Sequence, residues 1–69
     1  MIICNLKRLL AAQNMSQRAL AKQSRVHRRT IGKLYANDWS TINRSILDSL
    51  CLALRVTPQE LFVWEREDN

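Results

Sequence analysis

Arg28, Arg29 and Lys33 fall within six residues of one another, behind His27 and around Thr30. An Arg guanidinium is a planar fork. It matches the paired O6 and N7 acceptors on a guanine edge, and it also grips phosphate. Arg28 and Arg29 are consecutive, so on a helix they diverge by about 100°. They cannot share one line into a groove: one is placed to reach guanine and the other to reach a base or a phosphate. Lys33 lies four residues after Arg29 and shares its helical face. This is chemistry of recognition rather than of bond-making. His27 is the single histidine, and no nucleophile with an orienting acid lies near it in sequence. One glycine in the whole chain leaves no phosphate-cradling glycine loop. No catalytic residue is assigned and no enzyme activity is expected. The plain alternative for the basic run is a solvated face.

The charge distribution weighs against that alternative. Residues 1–37 carry Lys7, Arg8, Arg18, Lys22, Arg25, Arg28, Arg29 and Lys33 with no acid, a sum of +8. Residues 38–69 carry Arg44, Arg55 and Arg66 against Asp38, Asp48, Glu60, Glu65, Glu67 and Asp68, a sum of −3. A split of that kind marks a face that meets a polyanion.

These side chains need elements to hold them. Five helical segments are legible, with no convincing strand. The first runs from about Cys4 to Gln13, with Leu6, Leu9 and Leu10 as its stripe. Asn14 then tolerates the left-handed conformation that ends helices. Ser16 reads as the N-cap of a second segment, with Ala19, Leu20 and Ala21 inward. After a break at Ser24 and Arg25 a third runs from about His27 to Tyr35. Ile31 and Leu34 face in; Arg28, Arg29, Gly32 and Lys33 face out. Asn43 caps a fourth, to about Leu54, and Ile46, Leu47, Leu50, Cys51 and Leu54 give the clearest helical period. Thr57, Pro58 and Glu60 open a fifth as a capping box, and Leu61, Phe62 and Trp64 close the core. Residues 65–69 are polar and expected to fray. Two short helices with a break at residues 24–26 form a helix-turn-helix over about 16–35.

Sixty-nine residues make one domain, 1–69, with a small core. No apolar run approaches the ~18 residues of a membrane span, and the apolar N-terminus precedes the first basic pair, the reverse of a secretory signal. A cytoplasmic protein without membrane contact is expected. Cys4 and Cys51 are far apart, and with one histidine they cannot complete a four-ligand zinc site. They read as small buried hydrophobes, with no metal and no cofactor.

Taken in order, Leu6-Leu9-Leu10, Met15-Ser16-Gln17, Leu20-Ala21, Val26, Thr30-Ile31, Leu34-Tyr35 and the run from Leu47 to Leu54 resemble the phage-repressor and Cro-like (XRE-type) helix-turn-helix regulators. Val56-Thr57-Pro58-Gln59-Glu60-Leu61-Phe62 extends the resemblance to about residues 3–64, and the short single-domain members are the most similar. The resemblance implies an all-α, compact five-helix bundle, bacterial or phage-encoded, whose third helix reads the DNA major groove. It implies that Gln17 contacts backbone or base, that Arg28, Arg29 and Lys33 face bases with Thr30 beside them, that His27 takes the cap position, and that Asn37 touches phosphate. Ser16, Arg18, Lys7 and Arg8 are further candidates for phosphate contact. The chain departs from the pattern at Arg25, where glycine is common; at Ala19, where a capping partner is common; and at Asp38 and Trp39 in the loop.

The function expected is sequence-specific binding of double-stranded DNA by a transcriptional regulator, a repressor, with no small-molecule ligand. The alternative is a protein-interaction module, an antitoxin or anti-repressor, on the same scaffold; fold alone does not separate the two. A lone recognition helix reads few base pairs, so a homodimer is expected, at least on DNA. Trp39, Phe62, Val63 and Trp64 are its candidate contacts, on the side of the last two helices.

Overall fold

The computed structural model describes residues 1–66. The elements, in chain order, are β1 (Ile2–Cys4), α1 (Leu6–Ala12), α2 (Gln17–Ser24), α3 (Arg28–Tyr35), α4 (Arg44–Leu54), α5 (Pro58–Leu61) and β2 (Phe62–Trp64). The helix starts are set by side-chain chemistry. Ser16 Oγ accepts the Ala19 N–H at 3.0 Å and Asn43 Oδ1 accepts the Ile46 N–H at 2.8 Å. Glu60 Oε1 accepts the Thr57 N–H at 3.0 Å, and Pro58 occupies the first turn of α5. Each such cap contributes about 1 kcal/mol by satisfying a donor that the helix leaves unpaired.

The five expected helices are present, and a small sheet that was not expected joins the two ends of the chain. β1 and β2 pair antiparallel, with Ile2 opposite Trp64, Ile3 opposite Val63 and Cys4 opposite Phe62. Cys4 therefore lies in a strand rather than opening the first helix, which starts at Leu6. Phe62 and Trp64 are extended; Phe62 packs half-buried against the core as expected, while Trp64 is 69% exposed. Three-residue strands are too short to show a period of two, and their pairing is a contact between residues some sixty apart. The ladder runs on beyond β2: the Glu65 N–H donates to Met1 O at 2.8 Å, and the Met1 amine donates to Glu65 O at 2.6 Å. Glu65, placed in the frayed tail from sequence, is thus tied; residues 67–69 of that tail lie outside the described residues.

The core is one cluster: Cys4, Leu6, Leu10, Leu20, Val26, Ile31, Leu34, Leu50, Leu54 and Leu61. Each helix contributes at least one member. Fully burying such a side chain contributes about 1.5–3 kcal/mol, which suffices for a domain of this size but leaves little surplus. Ala19, expected to face inward, is exposed, while Leu20 is fully buried and Ala21 packs half-buried against the core. Gln13 ties α1 to the end of α4, its Nε2 donating to Leu54 O at 2.7 Å. Among the described residues no helix is long and apolar enough to cross a membrane.

Candidate nucleic-acid interface

The turn between α2 and α3 is built from polar side chains over one left-handed residue. Arg25 has φ 62°, ψ 22°, and its N–H donates to Ala21 O. Arginine there lacks the freedom of glycine, at a cost of about 1–2 kcal/mol. Ser24 is buried, and its Oγ accepts the Val26 N–H at 3.2 Å. Val26 then drops into the core. His27 caps α3, with Nδ1 accepting the Arg29 N–H at 3.0 Å. That bond uses the neutral ring and holds the first turn of α3 in place.

α3 is divided into two faces by burial. Ile31 and Leu34 are essentially inaccessible, while Arg28, Arg29 and Lys33 are exposed and Thr30 is half-buried. The two apolar anchors fix the helix rotationally, so its cations are directed to solvent by packing. Gln17, in the first turn of α2, lies over this helix: a Cβ placed on Gly32 would stand 3.7 Å from Gln17 Oε1. Gln17, expected on the recognition surface, therefore lies beside α3 at Gly32. Ser16, by contrast, commits its Oγ to the α2 cap. Arg8 and Arg18 are exposed, and the Lys7 ammonium lies 6.0 Å from the Tyr35 ring centroid, on the flank of α3.

Asn37 has a different occupation from the one its position implies. Its Oδ1 accepts the Cys4 N–H at 2.7 Å and the Trp39 indole N–H at 3.2 Å, and its Nδ2 donates to Cys4 O at 3.1 Å. It sits left-handed, with φ 58°. The carboxamide pairs with β1 as one residue of an adjacent strand would. These bonds make the Asn37 side chain a clamp between the loop after α3 and β1. Trp39 is likewise engaged, half-buried and edge-on to Phe62 with ring centroids 5.0 Å apart. Sequence reasoning missed Ser24 and the Asn37 clamp. The only sequence signal for either was a polar residue beside a break.

Between the later half of α3 and the loop to α4 runs an open groove of about 610 Å³. Thr30 and Lys33 form one wall; Asp38, Trp39 and Asn43 form the other. The Asp38 carboxylate opposes the approach of a phosphate from that side, so the basic face is bounded there. Cys4 and Cys51 are free thiols away from the basic face of α3, and both are held above the usual thiol range, chiefly by burial; Asp48 and Glu60 add to the effect at Cys51. Among the described residues, no three His, Cys, Asp or Glu side chains gather as a metal-ligand set.

Comparison with known proteins agrees with this geometry. The model of the Cro/C1-type HTH DNA-binding domain matches residues 5–67. A crystal structure of a Bacteroides fragilis protein, provisionally described as DNA-binding, is similar at a TM-score of 0.76 and 27% sequence identity, over 91% of this chain and 100% of that one. A search of curated proteins gives no match.

Proposed function

The chain belongs to the Cro/C1-type helix-turn-helix DNA-binding family, and from that premise we propose that it is a repressor that reads the major groove of double-stranded DNA with α3. The observation that carries this reading is the sorting of α3: Ile31 and Leu34 buried, Arg28, Arg29 and Lys33 exposed, in a 37-residue stretch without an acid. A protein-binding module on this scaffold would instead expose apolar residues along that helix. In the proposed complex Arg28 or Arg29 forks onto guanine O6 and N7, and the other reaches base or phosphate. Lys33 and Thr30 border the same edge, and Gln17 enters from the α2 start. His27 stays a cap with its outer ring edge near the backbone. Lys7, Arg8 and Arg18 neutralise phosphates. The protein acts as a homodimer, because two half-sites about one helical turn apart supply the information that one helix lacks.

The test is a salt titration with duplex DNA. If one domain neutralises ~4–5 phosphates, log K falls with log[salt] at a slope near −4. A slope near zero removes the DNA reading.

A further inference from the structure

We infer that Asp38 is a specificity-determining residue of the major-groove surface. Its carboxylate accepts the N4 amino group of a cytosine at the Lys33 end of the half-site. This deepens the DNA reading proposed above and rests on it.

Asp38 is the first acid in the chain, standing directly after 37 residues that carry eight cations. It is held by α3 itself. The Asp38 N–H donates to Lys33 O at 2.8 Å and the Asn37 N–H donates to Leu34 O at 3.1 Å, with Asn37 left-handed. These are the two bonds that close a helix in the Schellman arrangement. The residues on either side of Asp38 are anchored as well. Asn37 is bonded to Cys4, and the Trp39 indole donates to Asn37 Oδ1 while its ring meets Phe62 edge-on. The backbone of Asp38 is therefore fixed relative to α3, and the depth that α3 takes in a groove sets where Asp38 stands.

Its side chain, by contrast, is uncommitted. Asp38 is exposed, and among the described residues its carboxylate has no hydrogen-bond donor or cation within bonding reach. Stability does not account for an acid here, because it faces the negative end of the α3 dipole. Affinity does not account for it either, because phosphates repel it. On DNA the carboxylate is stabilised only where a donor meets it. The base-edge donors in a major groove are the amino groups of cytosine and adenine.

Of these two, cytosine fits better. Adenine N6 lies between two acceptors, its own N7 and the O4 of the paired thymine, and both repel a carboxylate. Cytosine N4 has an acceptor on one side only, the O6 of the paired guanine. That acceptor suits Lys33, which borders the same groove as Asp38. One C·G pair thus offers a donor to Asp38 and acceptors to Lys33 along a single edge. With the pair reversed, the carboxylate meets guanine O6 and N7 instead. Asp38 weakens binding to every duplex, and weakens it least where cytosine stands opposite.

A duplex selected from a random pool by the full wild-type chain, then changed one base pair at a time, tests this. It is titrated with wild type, Asp38→Asn, Asp38→Ala and Asp48→Asn. Asp48 is a control that gives the same change of charge: it is an exposed acid on α4, beside Cys51 and Pro58. Wild type is expected to prefer C·G about ten-fold at one pair, distinct from any that Arg28→Ala or Arg29→Ala relaxes. Both Asp38 variants should cut that preference to about two-fold or less while binding an unrelated duplex about five-fold tighter. Asp48→Asn should keep the preference. Urea unfolding should find both Asp38 variants at least as stable as wild type, since the bond to Lys33 uses only the backbone. Tighter binding with unchanged base preference would show that the carboxylate only repels phosphate. Unchanged binding in both Asp38 variants would show that it does not reach DNA. Loss of the same preference in Asp48→Asn would assign it to overall charge. Each of these overturns the role of Asp38 and leaves the DNA reading standing. Failure of wild type to bind any duplex sinks both.

Discussion

Arg28 and Arg29 are neighbours in sequence with different prospects on DNA. Both are exposed on the first turn of α3, which the His27 cap holds fixed. A fork that reads guanine loses more on a preferred site than on random DNA when removed. Arg28→Ala or Arg29→Ala is expected to cost about 1–3 kcal/mol on the preferred site and less on an unrelated one. Lys7→Ala should weaken both sequences alike, since a phosphate contact carries no sequence information. Competition binding with the two duplexes measures the difference; equal losses for both Arg variants would show that neither reads a base. At this scale the sequence was informative about type and face, because a cation cannot be buried alone. It could not show that Asn37 spends its amide on β1, since that bond spans 33 residues.

The turn between α2 and α3 sets how the two helices meet, and it holds a residue poorly suited to its backbone. Arg25 with φ 62° carries a steric cost that glycine avoids. Arg25→Gly is expected to raise stability by about 0.5–1 kcal/mol, the relief being reduced by the greater freedom of glycine in the unfolded chain. Ser24→Ala acts the other way: it leaves the Val26 N–H without its partner, at about 1 kcal/mol. Urea unfolding of the two variants reads both. A loss of stability in Arg25→Gly would mean that the Arg side chain makes contacts that outweigh its strain. The helices themselves were legible because caps and apolar stripes are local signals. Ser16, His27, Asn43 and Thr57 each stand immediately before a helix. The strands were not, because nothing within three residues distinguishes an edge pair from the apolar end of a helix.

At the scale of the whole molecule, ionisation of the two thiols contributes to the loss of stability at alkaline pH. Burial raises the folded-state pKa of Cys4 and of Cys51 above the ordinary value of 9.0. The folded chain therefore resists ionisation that the unfolded chain permits. The contribution is complete below the ordinary thiol range and is lost as the pH rises from there toward the folded values. Denaturation midpoints are expected to stay level up to about pH 8, where the thiol of the unfolded chain begins to ionise, and to fall beyond it. The Cys4→Ala, Cys51→Ala double variant should flatten that alkaline limb. An unchanged limb in the double variant would assign it to other groups.

The sheet that joins residues 2–4 to residues 62–64 closes a loop of nearly the whole chain. Ordering so long a loop is costly until the segments between are already compact. The contacts among α2, α3 and α4 link elements closer in sequence and carry no such penalty. The consequence is kinetic: β1 and β2 zip last and part first. Ile3→Ala, opposite Val63, is expected to destabilise by about 1–2 kcal/mol, less than for a full core position. Nearly all of that change should appear as faster unfolding, with the refolding arm of the chevron almost unmoved. A refolding rate that drops in proportion would place the meeting of the two ends inside the nucleus. If the sheet does close last, the chain passes through a state in which the helix-turn-helix is assembled while its two ends are still apart. Folding would then finish the exposed basic face of α3 before the ends of the chain are tied.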